Sequence, residues 1–204
     1  MTTIGVLALQ GDFREHLRAI DDLGQSSVPV RRARELTGLD GLIIPGGEST
    51  AIDKLARSFD IAQPIKDAIA DGLPVYGSCA GLIMLADHIV DPAHDLKGNP
   101  QQTFGGIDMS VRRNAFGRQV DSFEEDIDFK GLSEPLKAVF IRAPWVERVG
   151  ENVEILASVP VPALDATRIV AVRSRNLLAT SFHPEVSGER RVHELFIKII
   201  RGEA

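Results

Sequence analysis

The sequence predicts a three-layer α/β fold whose central sheet is mostly parallel, with some antiparallel additions. In the first half of the 204-residue chain, short apolar runs typical of buried strands alternate with segments of helical spacing. In the second half, strand-like segments follow one another, separated by turn-forming residues. An amphipathic segment closes the chain. In folds built this way, ligands bind at the carboxyl ends of the parallel strands.

Three strands and three helices are predicted in the first half, and the third helix is the segment that follows Cys79. The strands are residues 4–9, residues 42–44 and the stretch that ends at Cys79. Asp12 opens the first helix in a pattern that resembles a capping box, and Ser49 can cap the second. The apolar residues at helical spacing are Phe13, Leu17 and Ile20 in the first helix, and Ile52, Leu55, Ala56 and Phe59 in the second.

After residue 104, the pattern predicts five short strands and one helix. The strands cover residues 107–111, 139–142, 153–158, 169–172 and 177–182. The apolar stripe of the helix consists of Val192, Leu195, Phe196, Ile199 and Ile200. We expect one domain spanning residues 1–204, a length that suits a sizeable core.

Composition argues against several classes of protein. The net charge of −6 argues against a nucleic-acid role that rests on general basicity. No apolar run approaches the ~18 residues needed to span a bilayer, and no basic leader precedes the first strand, so we expect no membrane association. A single cysteine cannot form an internal disulfide, which fits a reducing cytoplasm.

The most informative residue is that single cysteine, Cys79, which lies between Gly77 and Gly81. The preceding segment suits a strand and the following one a helix, so Cys79 occupies a sharp turn. Glycines suit that turn because a Cβ there would collide with neighbouring backbone. The first amides and the dipole of the helix favour a thiolate. Most lone cysteines are small buried hydrophobes, but such a residue needs no glycine on both sides.

Three predicted strands end in reactive or glycine-rich sequence, at residues 46–49, at Cys79 and at residues 183–185. Parallel strands would bring these ends to one edge of the sheet. Hydrolysis of a carboxamide by a thiol needs a base, and His183 can supply it. Glu185 can accept a hydrogen bond from the far ring nitrogen of that histidine and so fix its tautomer.

Such a reaction also needs donors for the carbonyl oxygen, which the amides of Gly47 and Ala80 would supply. Loss of one donor costs about 3 kcal/mol of barrier. Each signal alone has an ordinary structural reading, since a histidine after a strand is often a surface or core residue and Pro-Gly-Gly is often a plain turn. Their joint occurrence at three strand ends favours a catalytic site.

Five blocks of sequence carry a family resemblance, and together they run through nearly the whole chain. They are residues 4–11, 45–50, 113–119, 140–144 and 181–185. The most specific are Pro-Gly-Gly-Glu-Ser-Thr and Arg-Asn-x-Phe-Gly-Arg-Gln. With these blocks the chain resembles the glutaminase subunits of pyridoxal 5′-phosphate synthase, within the class I, triad-type glutamine amidotransferases.

The resemblance implies hydrolysis of L-glutamine to L-glutamate and ammonia through a thioester on Cys79, with His183 and Glu185 completing the triad. No metal or organic cofactor is implied. The positions that match the family's glutamine-binding residues are Gly47, Glu48, Ser49, Arg113, Ile141 and Arg142. An arginine there suits the carboxylate of free glutamine.

The resemblance also implies a partner, a TIM-barrel synthase subunit that receives the ammonia through a channel. Partner and glutaminase would form a large ring-shaped hetero-oligomer that makes pyridoxal 5′-phosphate, a form of vitamin B6, from a pentose phosphate and a triose phosphate. Glutaminases of this family are nearly idle until the synthase docks, because the Gly46–Gly47 peptide must reorient to form the oxyanion hole. A Gly-Gly pair permits that movement cheaply. Gln10 would lie near the docking surface.

Some segments depart from the family pattern or stand outside the catalytic set. Residues 87–104 are predicted to form a polar loop that is longer than usual in the family. Arg112 and Arg118 are expected to be structural or interfacial, and Trp145 is not a position that the family predicts. The loop residues whose spacing matches no standard metal site are His88, Asp91, His94 and Asp95.

Two alternatives remain open. A related thiol hydrolase acting on peptides or γ-glutamyl compounds would share the turn at Cys79 but would not need Arg113 and Arg142 for recognition. A catalytically silent subunit that only scaffolds its partner is the second alternative, and the intact triad disfavours it.

Overall fold

The computed structural model describes residues 1–115, 122–161 and 164–204. Its strands are β1 (Thr3–Leu7), β2 (Ser26–Val30), β3 (Gly41–Ile44), β4 (Val75–Ser78), β5 (Ala86–Ile89), β6 (Ile107–Arg112), β7 (Ser122–Ile127), β8 (Leu136–Ile141), β9 (Trp145–Val149), β10 (Glu154–Val161), β11 (Ala166–Ser174) and β12 (Leu177–Thr180). Its α-helices are α1 (Phe13–Asp22), α2 (Ser49–Ser58), α3 (Ala62–Ala70), α4 (Ala80–Leu85), α5 (Pro184–Ser187) and α6 (Arg191–Arg201). Each of these helices is too short or too polar to cross a bilayer.

Within the described residues, ten strands form one sheet in the order β2-β1-β3-β4-β12-β11-β9-β6-β5, with β10 paired to β11. The five strands β2, β1, β3, β4 and β12 are parallel to one another. Antiparallel pairs join β12 to β11, β11 to β9 and β9 to β6. The predicted fold class, a mostly parallel sheet with antiparallel additions, is confirmed. Strands β3, β4 and β12 are adjacent, so their carboxyl ends meet at one edge.

The parallel sheet is covered by helices on both faces, and the alternation of side chains along β3 shows how. Leu42 and Ile44 belong to the apolar cluster that includes residues of α2, α3 and α4, whereas Ile43 belongs to the cluster that includes residues of α1 and α6. All three side chains are fully buried. A strand buried on both faces must be apolar at every position, and each such side chain contributes about 1.5–3 kcal/mol of burial. The three predicted layers follow from this pattern.

The structure corrects both predicted helix caps. The Asp12 side chain makes no capping hydrogen bond to α1. Ser49 is the first residue of α2, and Glu48 is its N-cap, with a carboxylate that accepts hydrogen bonds from the amide and hydroxyl of Thr50. The N-cap is thus one residue earlier than predicted, because the long side chain of Glu48 reaches the unpaired amide of Thr50. Asp12 is left available for a contact elsewhere.

The predicted loop at residues 87–104 is wrong at its start. Ala86–Ile89 form strand β5, which pairs in parallel with β6 at the far edge of the sheet. Only the two end residues of this strand, Ala86 and Ile89, are apolar and buried, so the sequence lacks the alternation of apolar and polar residues that predicts a strand. The remaining segment is tied back to α2, because the Asp53 carboxylate accepts a hydrogen bond from the Gln102 amide. The strands β2, β7 and β9 and helix α3 were also not predicted.

Candidate active site

Cys79 lies at the carboxyl end of β4, immediately before α4, in a backbone conformation that non-glycine residues rarely adopt (φ 49°, ψ −99°). Its own amide donates a 2.7 Å hydrogen bond to the carbonyl of Thr180 on β12. A Cβ on Gly77 would lie 2.4 Å from the Gly81 carbonyl oxygen, and one on Gly81 would lie 2.1 Å from that of Ile44. Both glycines are therefore required by close backbone approach, as the sequence predicted.

The imidazole of His183 lies beside this turn and links Cys79 to Glu185. His183 follows β12, and Nδ1 is 2.7 Å from Oε1 of Glu185. The ring and Cys79 also interact electrostatically, and the Cys79 sulfur lies 4.0 Å from the carbonyl oxygen of Ile141. All three residues are buried. The sequence predicted a hydrogen bond between Glu185 and a ring nitrogen of His183, and the structure has that contact at Nδ1.

The electrostatics of these three residues favour an ion pair. Burial lowers the pKa of His183, but its interactions with Cys79 and Glu185 outweigh burial and raise that pKa to about 11. Burial raises the pKa of Glu185, but the adjacent His16 and the hydrogen bond from His183 bring it down to about 2. At neutral pH the arrangement thus favours a carboxylate beside an imidazolium, which can give a proton to a leaving nitrogen.

Asp12 is a site residue that sequence reasoning missed. Its Oδ2 lies 3.6 Å from Nδ1 of His183, and burial raises its pKa even though His183 opposes this. Gly46 also lies close to this ring, because a Cβ there would be 2.3 Å from Cε1 of His183 and 3.3 Å from Oδ2 of Asp12. Nothing in the sequence indicated this contact with His183, because an aspartate before a helix is readily explained as an N-cap.

A cavity of about 310 Å³ opens beside the sulfur of Cys79. Every residue that the sequence assigned to glutamine binding or to the oxyanion hole lines it: Gly47, Glu48, Ser49, Ala80, Arg113, Ile141 and Arg142. The lining residues that were not assigned to these roles are Gln10, Asp12, Ile83, Asn114 and Pro144. Glu185 is absent from the lining because it sits behind His183. The volume suits a small molecule of amino-acid size.

Opposite charges face each other across this cavity. Arg113 Nη2 is 2.9 Å from Oε1 of Glu48, and the arginine is much the more buried of the two. Asn114 and Arg142 both have positive φ, at 45° and 43°, and both line the cavity. The Ala115 amide donates to the Ala143 carbonyl, which ties their two loops together. Strained backbone at adjoining positions is typical of a binding site.

Of the two expected oxyanion donors, Ala80 directly follows Cys79 in the sequence, and Gly47 lies in the loop after β3. Ala80 is the first residue of α4, so its amide is one of the donors that a helix N-terminus leaves unpaired. Gly47 has φ 144°, which favours glycine. The Gly46 carbonyl accepts from the Asp12 amide at 3.1 Å, and the Glu48 amide donates to Oε1 of Gln10 at 2.8 Å. The loop after β1 therefore holds the Gly46–Gly47 segment at both ends, through the backbone amide of Asp12 and the side chain of Gln10.

Other residues singled out in the sequence lie outside the cavity. Arg112 forms ion pairs with Asp91 and Glu147, as expected of a structural arginine. Arg118 lies outside the described residues. Trp145 belongs to β9, where its ring lies under the guanidinium of Arg168 and its Nε1 is 3.4 Å from Glu147.

Metal binding was considered for the described residues and for the segment after β5. The potential ligands His88, Asp91, His94 and Asp95 do not converge on one point in the described part of the chain. The cluster that does converge consists of Asp12, His183 and Glu185, with one atom from each within 4.8 Å of the others. Nδ1 of His183 and the carboxylate of Glu185 are already bonded to each other there, so this set fits a proton-transfer site better than a cation site.

Comparisons with known proteins show which proteins this chain is similar to. The model of the SNO glutamine amidotransferase family matches residues 6–201. The pyridoxal 5′-phosphate synthase subunit PdxT of Arthrobacter sp. (strain FB24) is 66% identical, over 98% of this chain and 93% of its own. The protein of the same name from Rhodococcus opacus (strain B4) is 59% identical, over 98% of this chain and 97% of its own.

Solved structures add the fold. A crystal structure of a glutamine amidotransferase, 45% identical, superposes with a TM-score of 0.85 over 97% of this chain and 98% of its own. A glutamine amidotransferase from Thermotoga maritima is 12% identical, with a TM-score of 0.58 over 99% of this chain and 85% of its own. The second of these likenesses concerns the fold alone.

Proposed function

The chain belongs to the SNO glutamine amidotransferase family, and from this premise we propose that it is the glutaminase subunit of a pyridoxal 5′-phosphate synthase. It hydrolyses L-glutamine to L-glutamate and ammonia and delivers the ammonia to a synthase subunit. The observation that carries the proposal is that Cys79 and His183 line one cavity, which also has acidic and basic side chains, while Glu185 forms a hydrogen bond with His183.

Free glutamine has a carboxylate and an ammonium group at the end opposite its reactive amide. Arg113 and Arg142 would bind the carboxylate, and Glu48 would bind the ammonium group. Arg113 and Glu48 are paired with each other in the structure, so the substrate would replace one charge pair by two. Backbone groups of Gly47, Ser49 and Ile141 complete the lining around the side chain of the substrate.

In the first half of the reaction, the Cys79 thiolate attacks the carboxamide carbon of glutamine. The C=O π electrons move onto the oxygen, and the amides of Gly47 and Ala80 would stabilise that charge. The imidazolium of His183 then gives its proton to the nitrogen, the C–N bond breaks, and ammonia leaves. The product on the enzyme is a γ-glutamyl thioester, and His183 is left neutral.

In the second half, water attacks the thioester carbon while neutral His183 takes its proton. The tetrahedral intermediate collapses, the C–S bond breaks, and glutamate leaves with the Cys79 thiolate restored. Glu185 remains a carboxylate throughout and holds the ring of His183 in the required orientation. Every step uses groups of this chain, so we propose a mechanism without a cofactor.

The relatives are named as synthase subunits, which supports a synthase partner for this chain. We further propose that this partner is a TIM barrel and that the complex is a large ring. Activation by docking would act on the Gly46–Gly47 peptide, next to Gln10. A reorientation there must first give up the hydrogen bond from the Asp12 amide to the Gly46 carbonyl, a cost of about 1 kcal/mol.

The chain would act as one domain, and it would do so in the cytoplasm. Residues 1–204 would form a single glutaminase domain, because one sheet of the described residues runs through both halves of the chain. We place the protein in the cytoplasm, because a nucleophile that is also the chain's single cysteine needs a reducing environment.

The decisive experiment measures ammonia release from glutamine with and without the synthase subunit, for the wild type and Cys79→Ala. We expect activity that rises on addition of the synthase and disappears in the variant. Labelling with a glutamine-like electrophile should modify one residue, because the chain has one cysteine. Equal activity in both proteins would refute the mechanism, and a preference for γ-glutamyl peptides over free glutamine would favour a different thiol hydrolase.

A further inference from the structure

Two histidines that the mechanism does not use are buried directly behind Glu185. His16 on α1 and His193 on α6 are both fully buried, and their rings are in contact through Nδ1 of His16 and Nε2 of His193, 2.9 Å apart. Nε2 of His16 lies 3.5 Å from Oε2 of Glu185. This is the carboxylate oxygen that His183 does not use, because His183 contacts Oε1. Tyr76 packs edge-on against both rings.

The chemistry of these atoms fixes which nitrogen carries each proton. A carboxylate oxygen accepts hydrogen bonds, so His16 must present Nε2–H towards Glu185. A neutral imidazole with its proton on Nε2 has a lone pair on Nδ1, so His193 must donate to it from its own Nε2–H. Nε2 of His16 forms no hydrogen bond of standard geometry within the described residues, and the polar atom that it faces is Oε2 of Glu185, 3.5 Å away. The hydroxyl of Ser78 donates to the same carboxylate oxygen at 3.4 Å.

Both rings are neutral at physiological pH. Burial lowers the pKa of His16, and burial together with His16 lowers that of His193 to about 3. The pair therefore contributes oriented N–H dipoles and no net charge. The charged or titratable groups that face it are Asp12, Glu15, Tyr76, His183, Glu185 and Arg190.

We propose that His16 is a positioning residue of the glutaminase reaction, which holds the second carboxylate oxygen of Glu185 through its Nε2–H, while His193 fixes its tautomer. The proposal rests on the proposed function, since it extends the Cys79–His183–Glu185 line by two residues. A carboxylate held at both oxygens keeps one orientation while His183 gains and loses its proton. The ring of His183 then stays aligned with the sulfur.

Two substitutions of His16 separate positioning from simple packing. The amide nitrogen of glutamine can occupy the place of Nε2, whereas that of asparagine reaches only the place of Nδ1. We expect His16→Asn to lower kcat by tenfold to a hundredfold, the effect of losing a hydrogen bond to a charged group, with KM for glutamine unchanged. His16→Gln should retain kcat within about threefold of the wild type. Equal losses in both variants would overturn the proposal.

A double-variant cycle tests whether His16 acts through Glu185. If it does, His16→Asn combined with Glu185→Gln should be no slower than Glu185→Gln alone, because the carboxylate that His16 holds is already gone. Independent, additive losses would overturn the proposal. All assays use the chain together with the synthase subunit.

A spectroscopic measurement requires no change to a core residue and no activity. ¹⁵N spectra of the histidine side chains distinguish the two neutral tautomers, and Gln replacements of exposed His88 and His94 leave three of the five histidines to assign. We expect His16 and His193 both neutral with the proton on Nε2. A proton on Nδ1 of His16 would overturn the proposal, and it would leave the proposed function, which Cys79→Ala tests, untouched.

Discussion

Replacing Gly81 by alanine isolates the geometry of the turn at Cys79 without touching a reacting group. Gly81 is the second residue of α4, where alanine would normally stabilise a helix by about 1 kcal/mol. Here its Cβ would lie 2.1 Å from the Ile44 carbonyl oxygen, whereas such contacts are essentially never under 3.0 Å. The helix must therefore move away from β3 by at least about 0.9 Å.

That shift has a calculable effect on catalysis. It carries the Ala80 amide, at the start of the same helix, away from the position of the developing oxyanion. A displacement of about 1 Å in a catalytic site can cost on the order of a hundredfold in rate. Overpacking should also destabilise the fold by about 1–3 kcal/mol. We therefore expect Gly81→Ala to fold, with kcat reduced about a hundredfold.

The assay is synthase-stimulated ammonia release, with thermal unfolding measured in parallel. Gly72→Ala is the matched control, because its Cβ would meet nothing within 4 Å and the cost is the strain of φ +93°, about 1–2 kcal/mol. The two variants should lose similar stability, but only Gly81→Ala should lose activity. A kcat for Gly81→Ala within twofold of the wild type would show that the glycine frame does not set the catalytic geometry.

Two other variants test the charges of the site. Glu185→Gln should lower kcat on the order of 10³–10⁴-fold and move the alkaline limb of the kcat/KM profile to lower pH, because the pKa of His183, about 11, loses one of the bonds that raise it. An unchanged alkaline limb would contradict the assignment. The pKa of Glu185 is lowered to about 2, so the stability that its carboxylate contributes is present above the ordinary pKa of 4.5 and is lost as pH falls towards 2. The free energy of unfolding of Glu185→Gln should therefore depend less on pH between these values than that of the wild type. Arg113→Ala should raise KM for glutamine about 10–100-fold with little change in kcat, whereas Arg112→Ala, whose ion pairs lie outside the cavity, should leave KM unchanged; similar KM values in the two variants would remove Arg113 from the binding site.

The sequence was sufficient to predict the sheet edge on which the site lies, because buried parallel strands are continuous apolar runs. Residues 42–44 have only apolar side chains, and the structure places their strand beside the one that ends at Cys79. The glycines around Cys79 were predictable for the same reason, since their requirement is a local steric one. The catalytic roles were argued from the residues at three strand ends, whereas the glutamine-binding roles came from family resemblance, and both stay predictions.

What lay beyond the sequence depends on long-range contacts. Asp12 had the spacing of a helix cap, and only the approach of His183, far along the chain, draws it to the site. His16 and His193 sit on the buried sides of two amphipathic helices, where a histidine reads as an ordinary core residue. Strand β5 lacks an alternating pattern and is defined by its pairing with β6. Each of these features depends on which distant segment packs against it, which periodicity does not encode.

The direct pairing of β4 with β12 limits how a partner can control this enzyme. Sulfur and imidazole are carried by neighbouring strands that share a hydrogen-bonded register, from Leu177 opposite Val75 to Thr180 opposite Ser78. Because these two strands are hydrogen-bonded to each other, docking of a partner on the surface would not change the distance between the Cys79 sulfur and the His183 imidazole. The segment that can change conformation is Gly46–Gly47 after β3. A partner would therefore control the enzyme through the hydrogen bond that the Gly47 amide donates to the substrate's carbonyl oxygen. A small neutral alkylating agent would thus meet the same sulfur in the isolated chain as in the assembled synthase.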